Sequence, residues 1–291
     1  MHQCARWRNF FRMDLTALER ARVAHYRLHT TARVTTLADA ARFIDRCGFC
    51  WLFAPRERRL ELPALFEAVK GQRDVHIENW DADSDQVWAW KNDLPAAKRA
   101  YYGKALAGKP CFVSLKMLPY LLAASEQENF EHAYAHGAIS HDTKRVYDCL
   151  KQFGAQPTQT LKRNAGFIGT DSNARFHKAL DELQKNLLAL PMGATNEGMA
   201  WPSQIFDLVA HWFPAQTRAA QALDVRDARR ALIERYLKTV LAAPPDAMAR
   251  LFAIPRYQVK SLLEELTDSK RVVLRDGWVF TKHKHNLKFD F

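Results

Sequence analysis

The sequence predicts an α+β, mostly helical protein built from tandem winged helices, that is, helix-turn-helix units each closed by a β-hairpin wing. Two observations carry this prediction: an order of elements that occurs twice, and a gapless stretch shared by the two copies. In the later copy, Ile233, Tyr236, Leu237 and Val240 at helical spacing predict a helix over 227–241. Pro244-Pro245 and Pro255 bracket a short helix over 246–252. Val259, Leu262, Leu263 and Leu266 stripe a third over 256–267. Apolar runs at 272–274 and 278–280 then flank Asp276-Gly277, a tight-hairpin signal.

The earlier copy repeats the order. Val146, Leu150 and Phe153 predict a helix over 142–153, followed by a short one over 157–165 that Gly166 ends. Phe176, Ala179, Leu180 and Leu183 stripe a third over 172–186, and strands at 187–191 and 201–209 flank MGATNEGMA. FHKALDEL and VKSLLEEL superpose at an offset of 83 residues. These copies define winged helices over 140–210 and 225–285.

A mixed α/β domain is expected over 36–130, with a divergent winged helix as the alternative. Thr36 opens a helix carrying Leu37, Ala40, Ala41 and Ile44, and Gly48 stops it. An apolar strand at 49–53 follows, then a helix over 62–69 started by Pro63 and stopped by Gly71. Further on, the reading is a helix over 96–107, an extended piece at 111–115 and a helix over 117–124. The segment HIENWDADSDQVWAWKNDLP at 76–95 is expected to be an aromatic-rich loop. Residues 1–35 read as a basic arm or loose helix.

Composition narrows the partner. Of 291 residues, 43 are Lys or Arg and 32 are Asp or Glu, a formal charge of +11. Such a balance favours polyanions over acidic proteins or neutral small molecules. No apolar run nears the ~20 residues of a bilayer crossing, so no membrane partner is expected. The N-terminus lacks the apolar core of a secretory signal, Asp14 and Glu19 weigh against a transit peptide, and Met13 is an alternative start. Five cysteines (Cys4, Cys47, Cys50, Cys111, Cys149) suit a reducing cytosol. Cys47 and Cys50 have redox-motif spacing but follow a helix instead of preceding one, so they read as core thiols. No metal site or cofactor is expected, because no second ligand pair and no phosphate-cradling Gly loop accompanies them.

A helix-turn-helix presents the second helix of its pair to the major groove, N-terminal residues foremost. Arg256, Gln258 and Lys260 are therefore the expected contacts in the last module, with Asn173, Arg175, His177 and Lys178 in the earlier one. The last wing adds Lys270, Arg271, Arg275 and Trp278, followed by Lys282, His283 and Lys284, for phosphate or minor-groove contact. Double-stranded DNA is the expected partner.

The stretches WAWKNDLP (88–95) and YYGKALAGKPCFVSLKMLPY (101–120), with the tandem modules, resemble the AlkZ-related proteins, short relatives of the AlkZ/YcaQ DNA glycosylases. The likeness spans about 36–285. It implies stacked winged helices with a concave basic face for DNA, and a role in bacterial DNA repair or genome maintenance at the nucleoid. It also implies a Gln-x-Gln or Gln-x-Asp pair after the first helix that positions the hydrolytic water. The matching positions here fall near Trp51 and Phe53, neither able to orient a water, so no catalytic residue carries over. Two alternatives stand beside the DNA-binding reading: an active glycosylase for bulky alkylated or crosslinked bases, and a winged-helix transcription regulator. Trp80, Trp88 and Trp90, interleaved with Glu78, Asp81, Asp83 and Asp85, are the candidate base-stacking pocket.

Overall fold

The computed structural model describes residues 14–125, 130–169, 171–195 and 203–282. Cys4, Trp201, His283 and Lys284 lie outside them, as does most of the first half of the expected basic arm.

One order of elements occurs three times. The first module comprises α2 (Leu37–Cys47), β1 (Phe49–Trp51), α3 (Leu65–Lys70), α4 (Ala82–Ala96), β2 (Tyr101–Leu106) and β3 (Lys109–Val113), preceded by α1 (Leu15–Tyr26). After α5 (Leu118–Ala124) and α6 (Phe130–Ala135), the second module runs α7 (His141–Phe153), β4 (Gln156–Pro157), α8 (Thr158–Asn164), α9 (Ser172–Lys185), β5 (Ala189–Thr195) and β6 (Ser203–Leu208). Two connecting helices follow, α10 (Val209–Trp212) and α11 (Pro214–Gln221). The third module runs α12 (Val225–Val240), β7 (Ala242–Ala243), α13 (Pro245–Phe252), α14 (Arg256–Asp268), β8 (Val272–Arg275) and β9 (Trp278–Thr281). Each module closes a three-stranded antiparallel sheet in which the last strand lies between the other two: β1-β3-β2, β4-β6-β5 and β7-β9-β8. At the last hairpin Asp276 and Gly277 have φ of 50° and 77°, the left-handed pair that a two-residue turn requires.

The first module's sheet is buried on both faces. Cys50, Leu52 and Phe112 face that module's own helices, while Phe49, Trp51, Tyr101 and Val113 share a core with Leu232, Tyr236 and Phe252 of the third module. A strand covered on both faces reads as an unbroken apolar run, which is why 49–53 shows no alternation. The second module keeps a core of its own around Phe176, Leu180 and Phe206.

Three expectations are corrected. The helix expected over 96–107 is strand β2, because Tyr101, Tyr102 and Gly103 pair with Val113, Phe112 and Cys111 on β3; this pairing overrides local propensity. The loop expected over 76–95 contains a helix from residue 82. Asp81 caps it by accepting from the Ser84 amide, and Asp83 and Asp85 suit its first turn.

The third correction concerns the arm. Within it, α1 is docked, not loose: Leu18, Arg22 and Tyr26 are buried. The Arg22 guanidinium donates to the carbonyls of Val240 (3.0 Å) and Ala242 (2.8 Å), tying α1 to the third module.

Candidate nucleic-acid interface

The third helix of each module has a different environment. In the last module, α14 packs on α13 and β8 of its own unit. Its apolar stripe of Val259, Leu262, Leu263 and Leu266 is buried, which turns Arg256, Tyr257 and Lys260 to solvent. Among the described residues Arg256 pairs with Asp246 alone, at 3.1 Å, and Lys260 lies 4.0 Å from Glu264. Exposed pairs of this kind contribute at most about 1 kcal/mol and give way readily to a phosphate. Lys270, Arg275 and Lys282 are also exposed, while Arg271 is drawn to Glu234 of α12 at 2.8 Å. Trp278 is half-buried beside Arg275 in the hairpin register. Gln258 is held by neighbours: its carbonyl accepts from Arg229 and its amide donates to the Tyr257 hydroxyl at 3.0 Å.

In the second module α9 lies against β2 of the first, while α4 of the first lies against β5 of the second. The two helices thus clasp each other's hairpins. Arg175 makes a two-pronged pair with Asp142 at 2.8 and 2.7 Å, and its hydrogen bonds hold the Asp142 carboxyl below its ordinary range. Asn173 accepts from Lys162 at 3.3 Å. His177 lines a cleft between the modules with Tyr102, Lys104, Asp181 and Gln184, where Lys104 and Asp181 pair at 2.5 Å. Lys178 is exposed. No hydrogen bond or ion pair among the described residues joins α9 to α14.

The tryptophan set divides. Trp90 is only 6% exposed and belongs to the first module's core, so it is no stacking residue. Trp80 and Trp88 are half-exposed and meet edge to face at 5.7 Å, with Phe53 behind both at 6.4 and 6.5 Å. The acids between them have structural tasks. Asp81 takes a hydrogen bond from Lys70 that holds its carboxyl down at about 2, Asp83 pairs with Arg33 at 2.9 Å, and Asp85 accepts from the Trp80 indole. Beneath Trp88 lies Lys91, 5% exposed, its Nζ 4.3 Å from the indole centroid and 3.1 Å from Asn92 Oδ1. Burial pushes the Lys91 pKa down to about 8, and no carboxylate pairs with it among the described residues.

The sequence matches the model of the family described as AlkZ related over residues 34–253. The chain belongs to the AlkZ-related family. In structure it resembles the Streptomyces sahachiroi DNA glycosylase AlkZ, with a TM-score of 0.54 and 14% identity, over 94% of this chain and 71% of that one. That likeness is one of fold. No curated protein matches the chain in sequence.

In this AlkZ-related chain the two positions expected to replace the water-positioning pair are apart in role. Trp51 is buried on β1 opposite Cys111, whereas Phe53 is half-buried and backs the two exposed tryptophans. Cys47 and Cys50 are buried, and burial pushes the Cys47 thiol up to about 11, well away from nucleophilic use. Lys91 escaped the sequence reading as a site residue, and Phe53 was named there only as a replacement for the water-positioning pair, not as the ring behind the two exposed indoles. A lysine three residues after a tryptophan on one helix face was the available signal for Lys91.

Lys91 also yields a stability prediction. Below pH 8 both folded and unfolded chains hold the proton, and the folded one bears the cost of burying it. Between about 8 and the unfolded value near 10.4 the folded chain has released it first, so wild-type stability rises with pH in that window. Lys91→Met should therefore stabilise the protein at pH 7 by about 2 kcal/mol, an advantage that shrinks towards pH 10. Thermal unfolding of both proteins at pH 7 and pH 10 checks this, and a lower Tm for the variant at pH 7 refutes it.

Proposed function

We propose that the chain binds double-stranded DNA in DNA repair or genome maintenance, laying α14 and the β8–β9 hairpin along the duplex. The observation that carries this reading is the third module's own second helix of the turn and its hairpin. No other module packs over them in the way the first two modules cover each other, and they carry exposed Arg256, Lys260, Lys270, Arg275 and Lys282. Each module has the helix order and sheet order of a winged helix, and the +11 charge supplies the long-range attraction. In the second module, Arg175 braces α9 against α7, so that helix contributes Lys178 and Asn173 at the rim. Among the described residues no helix is long and apolar enough to cross a membrane, and the proposed location is the nucleoid.

Salt dependence tests the proposal. The logarithm of the association constant should fall linearly with the logarithm of salt concentration, by about 0.9 per phosphate neutralised. A titration of intact duplex whose affinity does not respond to salt removes DNA as the partner. A transcription regulator would in addition prefer one sequence and pair two copies over its half-sites.

A second reading, release of a damaged base, is favoured by the half-exposed Trp80 and Trp88 in front of Phe53. Indole faces of this kind hold an unstacked base at about 1–3 kcal/mol each. Incubation with duplex bearing bulky alkyl adducts should then leave abasic sites, and intact adducts at high protein excess exclude that substrate class.

A further inference from the structure

We propose that Lys91 is a nucleophilic amine that condenses with the aldehyde of an abasic deoxyribose, with Trp80 and Trp88 occupying the space of the missing base. The inference rests on DNA as the partner and adds a chemistry to it.

Its basis is a contrast within the molecule. Three cationic side chains are buried among the described residues: Arg22, Arg229 and Lys91. Arg22 donates to two backbone carbonyls and pairs with Glu19, and Arg229 donates to the Ala124 carbonyl and to Gln258. These two cations have strong acceptors. Lys91 has the side-chain oxygen of Asn92 and the face of Trp88. A lysine so placed adds nothing to stability that a methionine would not, and so its amine is explained by reactivity.

Its position suits a substrate. Lys91 lies mid-helix on α4, whose far end is held by the second module and the connecting helix after it: Gly193 of β5 lets Ala96 approach closely, and the Trp212 indole of α10 donates to the Pro95 carbonyl at 2.9 Å. The amine is one side-chain layer below the surface, under a half-exposed indole. Of the acids in the segment, Asp81 and Asp83 are paired with Lys70 and Arg33 while Asp85 accepts from the Trp80 indole, so part of the acidic charge is offset. With a pKa of about 8, about a tenth of the amine is neutral at pH 7.

The step balances without an added oxidant or reductant. The neutral amine adds to C1′ of the ring-opened sugar, the oxygen takes one proton from the attacking nitrogen and one from solvent and leaves as water, and a protonated imine remains. Loss of the C2′ proton to water then drives electrons towards C3′, the C3′–O bond breaks, and the 3′ phosphate leaves as the anion.

The test uses the full chain and a duplex carrying one abasic site, with sodium borohydride to reduce the imine to a stable amine. A denaturing gel should show a covalent adduct at least about ten times stronger than with intact duplex. Peptide mapping should place the added mass on Lys91. Lys91→Met should lose at least about nine-tenths of the adduct while binding intact duplex within about two-fold, and Lys116→Met should keep it. Wild-type protein that binds duplex in a salt-dependent way but traps nothing overturns the inference and leaves DNA binding standing. Equal trapping by Lys91→Met also overturns it, since another amine then reacts. Failure to bind duplex at all overturns both readings.

Discussion

Arg256→Glu combined with Lys260→Glu lowers the affinity for duplex DNA by about 100-fold, because each contact to a charged acceptor contributes about 1.5 kcal/mol. The salt slope should flatten by about two units in the same experiment. Both side chains project from the buried stripe of α14, and their current partners, Asp246 and Glu264, are exposed and easily left. The comparison must be made with cations elsewhere. Reversing Arg22 with Arg27 does not serve, since Arg22 is buried and holds α1 in place. Arg20 and Arg27 are exposed, and their joint reversal should change affinity by less than about three-fold. Fluorescence anisotropy with a labelled duplex at fixed salt measures both. An equal fall in both pairs would move the contact to the α1 side; no fall at Arg256 and Lys260 would remove α14 from the interface.

Arg22→Ala should destabilise the fold by about 3–5 kcal/mol, the range for removing one partner from a buried charged network. Arg22 is 4% exposed, and its guanidinium serves three parts of the chain at once. It pairs with Glu19 on α1, lies 3.8 Å from Glu61 before α3, and donates to the carbonyls of Val240 and Ala242 in the third module. Arg73 backs the same carboxylates at 2.8 and 2.9 Å. Without Arg22 two buried carbonyls lose their donor and Glu61 keeps only Arg73. The network also sets an acid limit. Burial raises the Glu19 pKa, but Arg22 and Arg73 outweigh that and hold it below its ordinary value. Its contribution is therefore complete above the unfolded carboxylate range near 4.3 and is lost as the pH falls further. Denaturant unfolding at pH 7 gives the magnitude; a loss under about 1 kcal/mol would mean that α1 is not held as described.

The two modules with regular helical stripes were legible almost residue by residue. Leu262, Leu263 and Leu266, or Phe176, Leu180 and Leu183, sit on one face whatever covers them, and all are buried. The two-residue strands β4 and β7 were not legible, since a pair such as Ala242–Ala243 becomes a strand only when Phe280 and Val279 lie alongside it. The first module hid the same order of elements for a related reason. Its sheet is covered on both faces, so the alternation that marks a strand is missing, and the acids of 81–85 look like solvated loop until Asp81 is seen capping α4.

Site residues divide along the same line. The outward cations of α14 follow from its stripe, so Arg256 and Lys260 could be named in advance. That Gln258 is held by Arg229, Arg175 by Asp142 and Trp90 by the core depends on neighbours distant in sequence.

What the sequence determined by itself is local and periodic: which face of each helix is apolar, where the turns fall, and an excess of positive charge that favours a polyanion. What only the tertiary structure decided is which of those faces remain available. The first two modules use theirs to grip each other, and among the described residues the third leaves its helix and hairpin uncovered by another module. An amine ended up buried against Trp88 with no carboxylate paired to it among the described residues. Periodicity follows from backbone geometry and is written in neighbouring residues, whereas exposure, ion pairing and burial of charge are set by contacts between segments tens to hundreds of residues apart.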